Sequence, residues 1–263
     1  MGTLGRLSTE SWPTAWLIIE VNLISFLPLI SSCSRKKTRM IYFVVQRIGS
    51  LLLLTRYVSD RLTLFSKWVC IGLLLKAGLA PMHFWGPPLL LTLTPALSLV
   101  FLTWQKIVPF FLLFVRCSKY VLLSTICFNL FVSATCSIGS KCISVLMFFS
   151  GLIHSGWILS APLLVSAFYF MVYVSMIIPI FFCSQSNLPY LFLNLAGLPP
   201  MTGFIIKLTV LQTMSMSLLA PFLLCSGIIL YAYLRIFLYS PFSNLGGLTW
   251  STLLTCFLGI IVT

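Results

Sequence analysis

Glu20, Lys76, Lys106 and Lys207 all stand inside long apolar runs of this 263-residue chain. Near the centre of a bilayer each lysine costs about 2.5–3.5 kcal/mol, so the three together carry roughly 7–10 kcal/mol of insertion cost. Residues that expensive are expected to work. A lysine held out of water gives up its proton more readily, and a nearby carboxylate opposes that loss. The chemistry these residues can do is therefore proton transfer. Glu20 is expected to pair with Lys76, and the pair changes strength when Lys76 hands a proton to Lys106. The two ionisations are then coupled, with Lys207 as the next station and water or hydroxyls bridging the gaps. The competing reading is that each lysine snorkels to an interface or fixes helix packing. Arg47, Arg56, Lys67 and Arg235 lie nearer the ends of apolar runs, where snorkelling or packing is the expected use.

Two histidines are weaker candidates for the same relay. His154 lies in the middle of Ser150-Gly-Leu-Ile-His154-Ser155-Gly156-Trp157, where burial without a polar partner is costly. His83, in His83-Phe84-Trp85, sits among aromatics, a setting in which histidine more often packs than carries protons. The nine cysteines are scattered and form no Cys-x-x-Cys pair, so neither a metal site nor a disulfide is expected.

The elements that hold these residues follow from composition. The chain is 60% hydrophobic and 7% charged, with a mean hydropathy of +1.10, where a soluble domain carries about 25% charged residues. That excludes a soluble globular fold and predicts an all-α polytopic membrane protein, a single membrane domain over residues 1–263. Ten spans are expected at about Pro13–Ile30, Met40–Tyr57, Leu62–Leu79, Ala96–Val115, Tyr120–Ile138, Cys142–Ala161, Leu164–Cys183, Leu188–Gln212, Ser217–Tyr239 and Leu248–Thr263. The loops between them are short, and their Lys and Arg divide five against five between the two sides, which leaves orientation open. Sixteen basic residues against three acidic ones give a net charge of +13. Most lie between apolar runs, so lipid headgroups, each worth about 1 kcal/mol to a juxtamembrane cation, are the expected partner rather than nucleic acid. The first 11 residues carry no apolar stretch of signal-peptide type.

One short segment occurs twice. Ala77-Gly78-Leu79-Ala80-Pro81-Met82 returns as Ala196-Gly197-Leu198-Pro199-Pro200-Met201, 119 residues further on. Gly and Pro inside an apolar run free backbone groups, which a membrane tolerates only where they are buried in protein or face a wet cavity. Both runs are therefore expected to be discontinuous helices. Paired breaks in two halves point to an inverted-repeat transporter and its ion path. Lys76 precedes the first break and Lys207 follows the second.

Four stretches resemble a known family in content and order. They are Lys76-Ala-Gly-Leu-Ala-Pro81-Met-His83-Phe84-Trp85-Gly-Pro87, Leu102-Thr103-Trp104-Gln105-Lys106-Ile-Val-Pro109, His154-Ser-Gly156-Trp157 and Gly197-Leu-Pro-Pro-Met-Thr-Gly203-Phe204-Ile-Ile-Lys207. Over about residues 12 to 240 the chain is similar to mitochondrial NADH dehydrogenase subunit 2, an antiporter-like family of the complex I membrane arm. The resemblance implies two inverted five-helix repeats, over residues 12–116 and 119–240, followed by a terminal helix at 247–263. It implies proton translocation driven by quinone reduction elsewhere in the complex, in the mitochondrial inner membrane. By position, Glu20 looks like the family's membrane glutamate, Lys76 its partner lysine, Lys106 the central lysine and Lys207 the lysine of the second broken helix. The resemblance also implies no cofactor on this chain, with flavin, iron–sulfur clusters and quinone on other subunits, and other membrane-arm subunits as partners.

The departure is at the front. Family members place a helix before the one that carries the glutamate, and only 12 residues precede Pro13 here. The first repeat is therefore expected to be shortened, with the missing helix supplied by a separate polypeptide or covered by the surrounding complex. Two other readings suit the same residues: a membrane-arm scaffold with a vestigial ion path, and a stand-alone cation/proton antiporter.

Overall fold

The computed structural model describes residues 12–239 apart from 34, 59–62, 141, 183–187, 200 and 215. The span expected at Leu248–Thr263 lies outside the described residues. Every regular element among the described residues is a helix, as lipid requires of backbone that must satisfy its own hydrogen bonds. Six runs among the described residues are long and apolar enough to cross a membrane, one of them, Pro95–Val115, taken across an interruption. The chain divides into two compact units, residues 1–122 and 123–263.

The first unit begins with α1 (Trp12–Cys33), α2 (Lys36–Val58) and α3 (Thr63–Ala77), and continues with α4 (Gly86–Leu90), α5 (Pro95–Leu102) and α6 (Trp104–Arg116). α2 packs against both α1 and α3, and α3 against α6. The approach of α2 to α3 is close because two glycines meet there. A Cβ on Gly72 would stand 2.9 Å from the Gly49 carbonyl oxygen. Small residues at such a crossing let backbones approach where no hydrophobic effect drives helices together.

The single span expected at Ala96–Val115 is interrupted. Thr103, at φ −112° and ψ −74°, separates α5 from α6. Its hydroxyl and its own N–H both donate to the Leu99 carbonyl, at 2.7 and 3.0 Å. The Lys106 N–H then turns back to Thr103 O at 3.1 Å. A threonine that bonds the preceding turn in this way bends a helix, and the bend falls three residues before Lys106.

The second unit contains most of α7 (Lys119–Gly139), then α8 (Ile143–Ser160), α9 (Leu163–Phe182), α10 (Leu188–Ala196), α11 (Thr202–Thr213) and α12 (Met216–Tyr239). α9 packs on α8, α10 and α11, and α10 packs on α12. α8 is its core, buried from Leu146 to Leu159 without interruption. The hydroxyls on its buried face return to their own helix. Ser150 donates to Met147 O at 2.9 Å and Ser155 to Leu152 O at 2.5 Å, so hydroxyl groups are satisfied without a partner helix. The run expected at Leu188–Gln212 is two half-helices, α10 and α11, as the Gly-Leu-Pro-Pro break requires.

Both breaks end their first helix in the same way. Gly78 has φ +65° and Gly197 φ +80°, values that L side chains rarely adopt. Leu79 N–H bonds Leu74 O at 3.1 Å and Leu198 N–H bonds Leu193 O at 3.5 Å. Gly78 N–H bonds Leu75 O at 3.3 Å and Gly197 N–H bonds Asn194 O at 3.0 Å. These are the two bonds of a Schellman ending.

Candidate functional site

In the first unit, Glu20, Lys76 and Lys106 are all buried, at 5%, 5% and 3% exposure. They come from α1, the last turn of α3 and the first turn of α6. The expected Glu20–Lys76 ion pair does not form. Arg47 Nη1 donates to Glu20 Oε2 at 2.8 Å, and among the described residues this is the one ion pair. Arg47 reaches the carboxylate from α2, and its guanidinium lies 5.2 Å from the Phe43 ring centroid, one turn earlier. Of the two uses expected of Arg47, packing is the one seen, an ion pair between α1 and α2; a fork of five donors competes well for a carboxylate against one ammonium. Arg56 and Lys67 side chains lie outside the described residues.

Lys76 Nζ and Glu20 Oε1 are buried and make no hydrogen bond among the described residues. Glu20 and Arg47 are the charges that act on Lys76 through space. The Lys76 stem runs against α2 where there is no side chain to meet it. A Cβ on Gly49 would stand 2.9 Å from Lys76 Cγ. Gln46, three residues earlier, donates from Nε2 to the Lys76 carbonyl at 3.3 Å.

A small cavity inside this unit is lined on its polar side by Asn22, Gln46, Lys76 and Gln105. Asn22 and Gln105 close it with two reciprocal amide bonds, Asn22 Nδ2 to Gln105 Oε1 at 3.0 Å and Gln105 Nε2 to Asn22 Oδ1 at 3.3 Å. That amide pair ties α1 to α6, two residues from Glu20 and one from Lys106. The cavity thus brings Lys76 beside groups that can hold water, which needs two to four polar partners.

His83 is not on this cavity. It lies in the turn after the first break, where Nδ1 faces Pro81 O at 3.3 Å and the ring packs 4.6 Å from Phe84.

In the second unit, His154 on α8 is 1% exposed, and its Nδ1 lies 2.9 Å from the Tyr169 hydroxyl on α9. The Tyr173 ring, one turn along α9, sits 4.9 Å from the imidazole. Lys207, on the second turn of α11, donates to the carbonyl of Ala196, the last residue of α10. A cation there meets the negative end of a helix. Its ammonium also lies 5.8 Å from the Trp157 ring, a cation–π distance, and Trp157 is one turn from His154 on α8. Arg235 is accounted for separately: its guanidinium donates to the carbonyls of Ile138 and Ser140, capping the end of α7.

Three groups of residues escaped the sequence reading. Asn194 is one: its Oδ1 accepts from the Thr202 hydroxyl at 2.9 Å and from Gly203 N–H at 3.2 Å, so a side chain on α10 caps α11. An Asn eight residues before a Thr-Gly helix start, across a Pro-Pro, was the available signal. Tyr169 and Tyr173 were also legible in principle, since spacing of four puts both hydroxyls on one helical face. Asn22 and Gln105 carried no local signal. Among the described residues no group of three or more His, Cys, Asp or Glu is placed to hold a metal.

The sequence matches no family model. It is 30% identical to NADH-ubiquinone oxidoreductase chain 2 of Anopheles gambiae, over 89% of this chain and 81% of that protein. It is 32% identical to the protein of the same name from Aedes aegypti, again over 89% and 81%. Among solved structures, a chain of respiratory complex I from Thermus thermophilus superposes with a TM-score of 0.77 at 19% identity, over 97% of this chain and 73% of that one. A chain of the Mrp complex from Dietzia sp. DQ12-45-1b gives 0.74 at 16%, over 84% and 55%.

Proposed function

The chain belongs to the NADH-ubiquinone oxidoreductase chain 2 family, and from that premise we propose that it is a proton-translocating, antiporter-like subunit of respiratory complex I in the mitochondrial inner membrane. The observation that carries this reading is the burial of Lys76, Lys106 and Lys207 inside apolar helices, each at or near a helix interruption. A bundle that kept three buried ammonium groups for packing alone would be less stable than one with apolar residues in their place.

In this reading Glu20 sets the electrostatic field at Lys76, Lys76 and Lys106 exchange a proton through water held by Asn22, Gln46 and Gln105, and Lys207 carries the charge in the second unit. Tyr169 orients the His154 imidazole, which serves as a further station. His83, in the turn after the first break and off the cavity, remains the weaker candidate station. We read the two units as the family's two repeats. Each proton moved against 100 mV requires about 2.3 kcal/mol. That energy must reach the chain through its membrane-arm partners from the flavin, iron–sulfur and quinone chemistry on other subunits of the complex.

The test is Lys106→Ala in the assembled complex, with abundance checked on a native gel. General acid–base groups contribute about a hundredfold or more, so turnover and pumping should fall together by about that factor while assembly is kept. Wild-type turnover and pumping would instead make the lysines structural and the chain a scaffold.

A further inference from the structure

We infer that Arg47 is a positioning residue of the relay, holding the Glu20 carboxylate in place so that Lys76 is not locked to it. The inference rests on the relay reading above and deepens it. Glu20 is buried, its side chain 7% exposed, while the Arg47 side chain is 41% exposed. The carboxylate is thus the desolvated member, and the guanidinium reaches it from a partly open position. A buried carboxylate without a cation takes up a proton or captures another positive charge, and Lys76 is a cation on which Glu20 acts through space. A guanidinium stays charged under all ordinary conditions, whereas a buried ammonium can lose its proton. Arg47 therefore supplies a constant counter-charge, and Lys76 is left as the group whose charge can vary.

The geometry supports this division of roles. Arg47 uses one carboxylate oxygen, Oε2; the other, Oε1, is buried and makes no hydrogen bond among the described residues, and the same holds for Lys76 Nζ. One helix governs the whole arrangement. Along α2, Gln46 holds the Lys76 backbone, Arg47 holds Glu20, and Gly49 leaves room for the Lys76 stem. Phe43 lies beneath the guanidinium, which limits the directions in which Arg47 can point.

The experiment compares Arg47→Gln, Arg47→Lys, Glu20→Gln and the Glu20→Gln/Arg47→Gln double variant in the assembled complex, reading turnover, pumping and native-gel abundance. Misplacing a reacting group costs roughly tenfold or more, and Arg47→Gln should lower turnover and pumping by about that factor. Arg47→Lys should recover part of the loss, because it restores a positive charge without the guanidinium's fork. In the Glu20→Gln background, Arg47→Gln should cause no further loss. If Arg47→Gln fails to assemble, the double variant should restore assembly, since it leaves no unpaired buried carboxylate. Wild-type turnover in Arg47→Gln overturns the inference. So does an equal additional loss in the Glu20→Gln background, no recovery with lysine, or a double variant that still fails to assemble. Loss in Lys106→Ala with no loss in Arg47→Gln defeats this inference alone; wild-type behaviour in Lys106→Ala defeats both readings.

Discussion

The two helix breaks share five of six letters, their positive-φ glycines and their pair of closing hydrogen bonds, yet they use their lysines in opposite ways. At the first break a carbonyl in the last turn, that of Lys76, is satisfied by Gln46 from α2, and the Lys76 ammonium makes no hydrogen bond among the described residues. At the second, the Ala196 carbonyl at the end of α10 is satisfied by the Lys207 ammonium itself. The difference comes from chain order. A lysine one residue before the break points its stem along its own helix and across Gly49. A lysine four residues after Gly203 lies on the next half-helix and can reach back over Gly197, whose Cβ would stand 3.0 Å from Lys207 Cδ. The same break therefore yields one lysine governed by a charge pair across space and one tied to backbone.

The largest expected effect tests that contrast directly. Lys76→Met and Lys207→Met should each reduce coupled turnover by about a hundredfold. Only Lys207→Met should also lower the melting temperature of the complex, because it leaves the Ala196 carbonyl without this donor, a loss of about 1–3 kcal/mol. Equal thermal shifts in the two variants would erase the distinction.

A smaller effect separates the glycines. In Gly197→Ala the new side chain meets both a backbone at φ +80° and the Gly203 carbonyl at 3.0 Å, where strained backbone costs about 1–3 kcal/mol. Gly49→Ala meets crowding alone, against the Lys76 stem and the Gly72 carbonyl at 3.2 Å. Abundance of the assembled complex should fall further for Gly197→Ala, while Gly49→Ala should act mainly on turnover by displacing Lys76. The reverse order would mean that the first break is the more constrained.

The smallest effect lies in the neutral side chains that serve the breaks. Asn194→Ala removes the cap of α11, worth about 0.5–2 kcal/mol, and Gln46→Leu removes a bond worth about 1 kcal/mol. Thermal melting should therefore rank Asn194→Ala as equal to or more damaging than Gln46→Leu. A larger loss for Gln46→Leu would show that the α2–α3 contact carries more of the first unit than one hydrogen bond.

Much of this was open to reading in one dimension. An apolar run long enough to cross a bilayer has to be helical there, because lipid offers the backbone no other partner, and α1, α7, α8, α9 and α12 follow their runs to within a few residues. A Gly-Leu-x-Pro run inside an apolar stretch must break a helix, and both runs do. Three lysines in apolar surroundings must be buried or lipid-exposed at great cost, and Lys76, Lys106 and Lys207 are buried. Each of these consequences follows from a residue and its immediate neighbours. The bend at Thr103 was harder to see, because a threonine hydroxyl bonded to the preceding turn is also tolerated within a continuous helix, as at Thr135 in α7.

The choice of partners belonged to the tertiary structure. Glu20 lies far in sequence from both Lys76 and Arg47, and composition ranks them alike; the crossing of α2 between α1 and α3 decides that the guanidinium arrives first. Asn22 and Gln105 are 83 positions apart, and nothing local to either names the other. An amide or a charge has many equivalent partners along a sequence, whereas packing at fixed distances leaves each of them only one or two.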